Sequence, residues 1–100
     1  MAIQLKISIN KGSTVTFSPN PLAASVLDQI FWVNNDPSDA HWPGLKKSDG
    51  TTDPNFFMTN QIAPGGGTSP SFSGSVPQSY SYYCSLHPES PSENGTINIT

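Results

Sequence analysis

The sequence has no arginine, one cysteine and two histidines. Its cations are four lysines, Lys6, Lys11, Lys46 and Lys47, against seven acidic residues, and charged residues make up only 11% of the chain. Phosphate binding needs a basic face, so nucleic-acid recognition is excluded as a function class. A single cysteine excludes an internal disulfide. No apolar run approaches the roughly 20 residues of a membrane span, so none is expected. Internal repeats and low-complexity tails are also missing. Met1 to Ile9 alternates polar and apolar residues and does not read as a signal peptide. Two locations stay open: the cytoplasm, or the periplasm or extracellular space if a signal peptide was removed and Met1 is an added start.

What the chain does have suits a β-protein. Its 100 residues make one domain, residues 1–100, able to bury roughly two-thirds of the surface exposed when unfolded. Ten prolines and eight glycines argue against a helical bundle and for short strands joined by turns. Ile3, Leu5, Ile7 and Ile9 fall on every second position, the pattern of a half-buried strand. Thr14–Phe17 predicts a second strand with Val15 and Phe17 inward. Leu22–Leu27 fits either a short strand or a helical turn. Gln29–Asn34 (QIFWVN) predicts a buried strand. Residues 35–56 read as a long polar connection, of the kind that is functional or mobile in a compact domain. Further strands are expected at Phe57–Ile62, Ser69–Ser73, Gln78–Cys84 and Thr96–Thr100, with a flexible turn at Ala63–Gly67. Tyr80, Tyr82 and Cys84 share one face of their strand. Seven or eight short strands predict an antiparallel, Greek-key β-sandwich or barrel.

Three residues stand out chemically. His41 lies beyond the QIFWVN strand, Cys84 ends the SYSYYC strand, and His87 follows three residues later. A thiolate with two imidazoles suits a borderline-soft metal, above all copper. A Cys-x-x-His spacing on a strand-ending loop lets both side chains turn toward one point. A histidine from another strand end completes the set. Alone, Cys84 would read as a small buried hydrophobe; with His41 and His87 the metal reading overtakes that. Asn34 and Asn35 fit a bracing role around such a site, and equally plain turn chemistry. Catalysis finds little support. No serine has a His and Asp arrangement, and a Cys84–His87 dyad lacks an orienting third group.

Tyr80-Ser-Tyr-Tyr-Cys-Ser-Leu-His-Pro88 followed by Gly95-Thr-Ile resembles the C-terminal copper loop of the cupredoxins, the blue-copper proteins of the plastocyanin and amicyanin kind. Ile30-Phe-Trp-Val-Asn-Asn-Asp36 with His41 resembles their other half-site. Ala63-Pro-Gly, Phe72 and Val76-Pro-Gln-Ser-Tyr80 resemble the lead-in to the cysteine strand. The resemblance implies one copper ion cycling between Cu(I) and Cu(II), held by His41, Cys84 and His87, and electron transfer rather than enzymatic turnover. It implies a redox partner protein of unspecified identity and a monomer. It also makes Tyr83, beside the ligand cysteine, a route for electrons to the surface, against the plainer reading as a surface tyrosine.

The chain departs from the family at the axial methionine. Counted back from Gly95 that position is Glu93; counted forward from His87 it is Ser90. Three outcomes stay open: a carboxylate ligand from Glu93 or Glu89, a three-coordinate or carbonyl-completed site, or a lost site. Pro88 and Pro91 stiffen this loop. The alternative function is a binding or structural module with the same fold, its metal lost or its copper merely carried. A copper enzyme with an open axial position is a weaker third reading.

Overall fold

The computed structural model describes residues 3–47, 49, 51–87, 90 and 92–100. Met1, Pro88, Glu89 and Pro91, named above, lie outside the described residues. The described chain is all β, with nine strands: β1 (Gln4–Lys11), β2 (Val15–Ser18), β3 (Leu22–Ala24), β4 (Gln29–Asn34), β5 (Pro43–Lys46), β6 (Thr52–Asp53), β7 (Gly67–Thr68), β8 (Gln78–Cys84) and β9 (Asn94–Ile99). They form a four-stranded sheet, β2-β1-β4-β7, and a five-stranded sheet, β3-β9-β8-β5-β6. Among the described residues no helix is long and apolar enough to cross a membrane.

The two-residue periodicity explains the core. β1 and β4 run parallel, with Leu5 opposite Ile30, Ile7 opposite Trp32 and Ile9 opposite Asn34. Their alternation sends Ile7, Ile9, Ile30 and Trp32 inward, fully buried. From the other sheet, Tyr80, Tyr82, Ile97 and Ile99 point back at them. Tyr82 meets Phe17 and Trp32 edge-on, at ring-centroid distances of 5.1 and 5.4 Å. Each such side chain stabilises the fold by about 1.5–3 kcal/mol through its apolar burial. Gly95 lies opposite Tyr82 in the β8–β9 ladder, and a Cβ there would run into the Tyr82 ring.

Several local expectations change. β5 and β6 lie inside the supposed polar connection 35–56, where β5 gains its pairing from β8 rather than from its own apolar content. Residues 57–62 are not a strand: Phe57 and Met58 are buried in the core, and Ile62 makes only a bridge to His41. Within 69–73, only Phe72 bridges β4, at Ile30. The strand pairing there belongs to Gly67–Thr68, at the end of the segment read as a flexible turn. Leu22–Ala24 is a strand, and Leu27 just beyond it is exposed at a φ of 68°. The count is nine strands rather than seven or eight, and two pairs, β1–β4 and β3–β9, are parallel.

Candidate metal centre

The inward stripes of β4 and β8 both end in polar residues, Asn34 and Cys84, each fully buried. Asn34 organises the loop that follows. Its amide group donates to the carbonyls of Asp39 (2.9 Å) and Ile62 (3.1 Å), and its Oδ1 accepts the Asp36 N–H (3.0 Å). On the opposite side, the N–H groups of Gly66 and Gly65 donate to the carbonyls of Asn34 (2.7 Å) and Asp36 (2.8 Å). Those glycines have φ values of 102° and 79°, a region that side chains with a Cβ rarely adopt.

Asp36, also fully buried, closes a tight turn. Its Oδ1 accepts the N–H groups of Ser38 (2.9 Å) and Asp39 (3.2 Å) and the Ser38 hydroxyl (3.2 Å). Its Oδ2 lies 2.9 Å from His41 Nε2. Burial pushes this carboxyl up, but the bonds from Ser38, His41 and Asp39 together outweigh burial and hold it well below the ordinary carboxylate range.

His41 is clamped by backbone bonds to Ile62 in both directions and leads through Trp42 into β5. Since Pro43 pairs with Cys84, His41 and the cysteine arrive side by side. The Trp42 N–H donates to Cys84 Sγ at 3.4 Å. Beyond Cys84 the chain turns, and the His87 N–H donates back to the Cys84 carbonyl at 3.1 Å. The Cys84 N–H donates to the Glu93 carbonyl at 3.0 Å, which seats Glu93 opposite the cysteine at the start of β9.

The result is a compact donor set. Cys84 Sγ lies 3.6 Å from His41 Nδ1 and 3.3 Å from His87 Nδ1. Glu93 Oε1 lies 2.9 Å from His41 Nδ1 and 3.0 Å from His87 Nδ1. All four ligand atoms fall within 4.8 Å of one another. Burial pushes the Cys84 thiol up, N–H donors from Trp42 and Leu86 pull it back, and the Glu93 charge raises it again.

The donor accounting at the centre is uneven. If neutral His41 gives its Nε2 proton to Asp36, its Nδ1 carries a lone pair, and that lone pair faces a carboxylate oxygen and a sulfur. Acceptors this close are reconciled by a bound cation or by a proton on one of them. Two imidazole nitrogens, a thiolate and a carboxylate oxygen fit a copper ion, and equally a tetrahedral zinc ion.

The structure brings His41, Cys84, His87 and Glu93 together. Ser90, the other candidate axial position, has its hydroxyl near that of Ser92 instead. Asn34 braces the loop that carries His41. Asn35 is exposed and bonds Asn10. Tyr83 is half-buried, its hydroxyl paired with the Thr52 hydroxyl on β6. Asp36 was not among the sequence candidates. Its one signal was a place two residues past the strand end, followed at +2 by Ser38, which also describes any Asx turn.

No protein-family model and no curated protein sequence matches the chain. Solved structures do. The fold is that of the cupredoxin β-sandwich. Within that class the similar structures are amicyanins. Amicyanin from Paracoccus versutus superposes with a TM-score of 0.71 over 97% of this chain and 81% of its own, at 15% identity. A Cu(I) amicyanin carrying a methionine-to-glutamine substitution gives 0.67, with coverages of 97% and 82% and 16% identity. A reduced Cu(I) amicyanin at pH 4, with a proline-to-glycine substitution, gives 0.66, with coverages of 99% and 82% and 17% identity. At these identities the likeness is one of fold.

Proposed function

We propose that the protein is a one-electron carrier, not an enzyme, holding one copper ion through His41 Nδ1, Cys84 Sγ, His87 Nδ1 and Glu93 Oε1. The observation that supports this most is the convergence of those four atoms within 4.8 Å at one end of a cupredoxin sandwich. When bound, copper supplies the Cu(I)/Cu(II) couple. The chain supplies a donor set fixed before the metal arrives. His41 is locked by backbone bonds and by Asp36, and Cys84 by the β5–β8 ladder, so neither has far to move when charge changes. Cys84 must shed its proton to become a ligand, and the Trp42 N–H is placed to stabilise the thiolate. His87, with 37% of its side chain exposed, is the edge of the site nearest a redox partner protein. Tyr83, next to Cys84 on the outward face, is a covalent route to the surface. Glu93 takes the place of the family's thioether, and a harder anionic donor favours Cu(II).

Titration of the metal-free protein with Cu(II) tests this. One equivalent should give an intense thiolate-to-copper charge-transfer band, absent in Cys84→Ser. No band, or the same band in Cys84→Ser, ends the reading. One observation favours a second reading, a metal carrier without redox traffic: four protein donors also suit zinc, which has no redox chemistry. Copper binding with no reversible one-electron wave in voltammetry would favour the carrier. A periplasmic or extracellular location belongs to the first reading, with recovery in those fractions of the source cells as its check.

A further inference from the structure

We propose that Asp36 is the positioning residue of the metal centre: its Oδ2 holds the Nε2 proton of His41, turning the Nδ1 lone pair onto the point where Cys84, His87 and Glu93 converge, and its buried charge favours Cu(II) over Cu(I). The inference rests on the copper reading above and adds a residue to it.

Geometry carries the first half. His41 is buried, and its two ring nitrogens face different groups: Asp36 at 2.9 Å from Nε2, and Glu93 at 2.9 Å and Cys84 at 3.6 Å from Nδ1. Each ring nitrogen thus has a carboxylate oxygen at 2.9 Å, and once Nδ1 is given to a metal, Asp36 is the group left to hold the proton on Nε2. With the proton on Nε2, the imidazole donates outward and coordinates inward. With the proton on Nδ1, it would bond Glu93 and block the centre, and Asp36 would lose its bond. An acceptor behind a ligand histidine fixes its ring orientation and raises its basicity.

Charge carries the second half. Asp36 is fully buried, and among the described residues no lysine lies within ion-pair distance of it; the nearby Lys11 pairs with Asp39 instead. Its charge is met by the dipoles of Ser38 and Asp39 and by His41. A bound cation then sees three anionic groups: the Cys84 thiolate, Glu93 and, one imidazole away, Asp36. Adding an electron to such a site is opposed by each of them.

An asparagine cannot substitute quietly. Oδ1 already accepts three donors and Oδ2 one. An amide has a single oxygen. Its NH₂ group must face either the His41 N–H or the N–H groups of Ser38 and Asp39, donor against donor. Asp36→Asn therefore removes both the charge and one acceptor at nearly constant volume.

The test has two readouts. Long-range proton–nitrogen NMR of the wild-type metal-free protein at pH 8 should show His41 protonated at Nε2; a bare Nε2 overturns the assignment. In the copper-loaded protein, Asp36→Asn should lower the preference for Cu(II) over Cu(I) at least about tenfold, which is about 59 mV upward for one electron. Ser38→Ala removes one donor from Oδ1 on an exposed turn and leaves the carboxylate more basic, so it should move the potential the opposite way and by less. A simple structural role predicts no such reversal of sign. A potential within threefold of wild type in Asp36→Asn, or a rise in both variants, overturns the proposal. Should Asp36→Asn fail to fold, the tautomer and Ser38→Ala decide. If the wild type takes up no copper, the functional reading falls, and the metal-free tautomer still decides the role of Asp36.

Discussion

The two histidines face the same sulfur from different surroundings. His41 has 1% of its side chain exposed, is bonded to Ile62 through its backbone, and has Asp36 behind its ring. His87 has 37% exposed, and among the described residues its ring meets the sulfur, Glu93 and the edge of His41. One imidazole is part of the interior; the other is a lid on it. The difference follows from where each sits in the chain. His41 lies on the crossover between sheets, where Asn34, Asp36 and the Gly65–Gly66 turn satisfy every buried backbone group they can reach. His87 lies on the hairpin between β8 and β9, facing solvent. A site built this way keeps its geometry from one side and its accessibility from the other.

The contrast is most directly broken by cutting each ring away. His87→Gly should lose the charge-transfer band and regain it with added imidazole, because the vacated space opens to solvent. His41→Gly should lose the band and not regain it at any imidazole concentration the fold survives. Equal rescue of both, read by absorbance, would mean that the two sides are alike. Next in size is Asn34→Ala. It leaves the buried Ile62 carbonyl and Asp36 N–H, and the part-buried Asp39 carbonyl, without their side-chain partner, so urea denaturation should show a loss of about 2–4 kcal/mol. A comparable loss on truncating exposed Asn35, whose side chain donates to Asn10, would contradict the picture of Asn34 as the brace.

Glu93 touches both histidines and sharpens the comparison further. Glu93→Met should raise the reduction potential by more than about 59 mV, a tenfold change in preference, and move the spectrum toward blue, with Glu93→Gln between. No change in Glu93→Ala would mean that the carboxylate is not a ligand. The smallest effect concerns acid. The Asp36 carboxyl is held below its unfolded value near 3.9, so the stability it contributes is fully present above that value and lost as pH falls toward the folded one. In metal-free protein, the stability gap between wild type and Asp36→Asn should be constant above about pH 5 and narrow below about pH 4. A gap that widens on acidification would give the linkage the wrong sign.

Much of this was legible in the sequence, for a physical reason. Strands β1, β4, β8 and β9 announce themselves because each buries one face against an apolar core, and burial writes a period of two into the residues. A Cys-x-x-His spacing alone is a weak signal; that Cys84, His87 and His41 come together was legible because all three lie at or beyond strand ends, with a histidine at +3 from the cysteine. β5 and β6 were not, since Pro43-Gly-Leu-Lys46 carries no strand pattern and gains its hydrogen bonds from β8 and β6. The stretch 57–62 misled in the opposite direction: Phe57 and Met58 are apolar because they plug the core from an irregular segment, not because they pair. Asp36 was hidden because its function depends on which way one carboxylate oxygen points. Asn34 and Asn35 look alike in sequence, and the pleat alone separates them, sending one inward and its neighbour to solvent.

The rungs beneath the connection from β8 to β9 have an evolutionary consequence. Tyr83 pairs with Asn94, and the Cys84 N–H bonds the Glu93 carbonyl. The β8–β9 ladder is thus closed up to Cys84, and its register is set before the chain leaves the strand. A lineage inheriting this frame can exchange the side chains at His87 and Glu93 while the β8–β9 ladder stays in register.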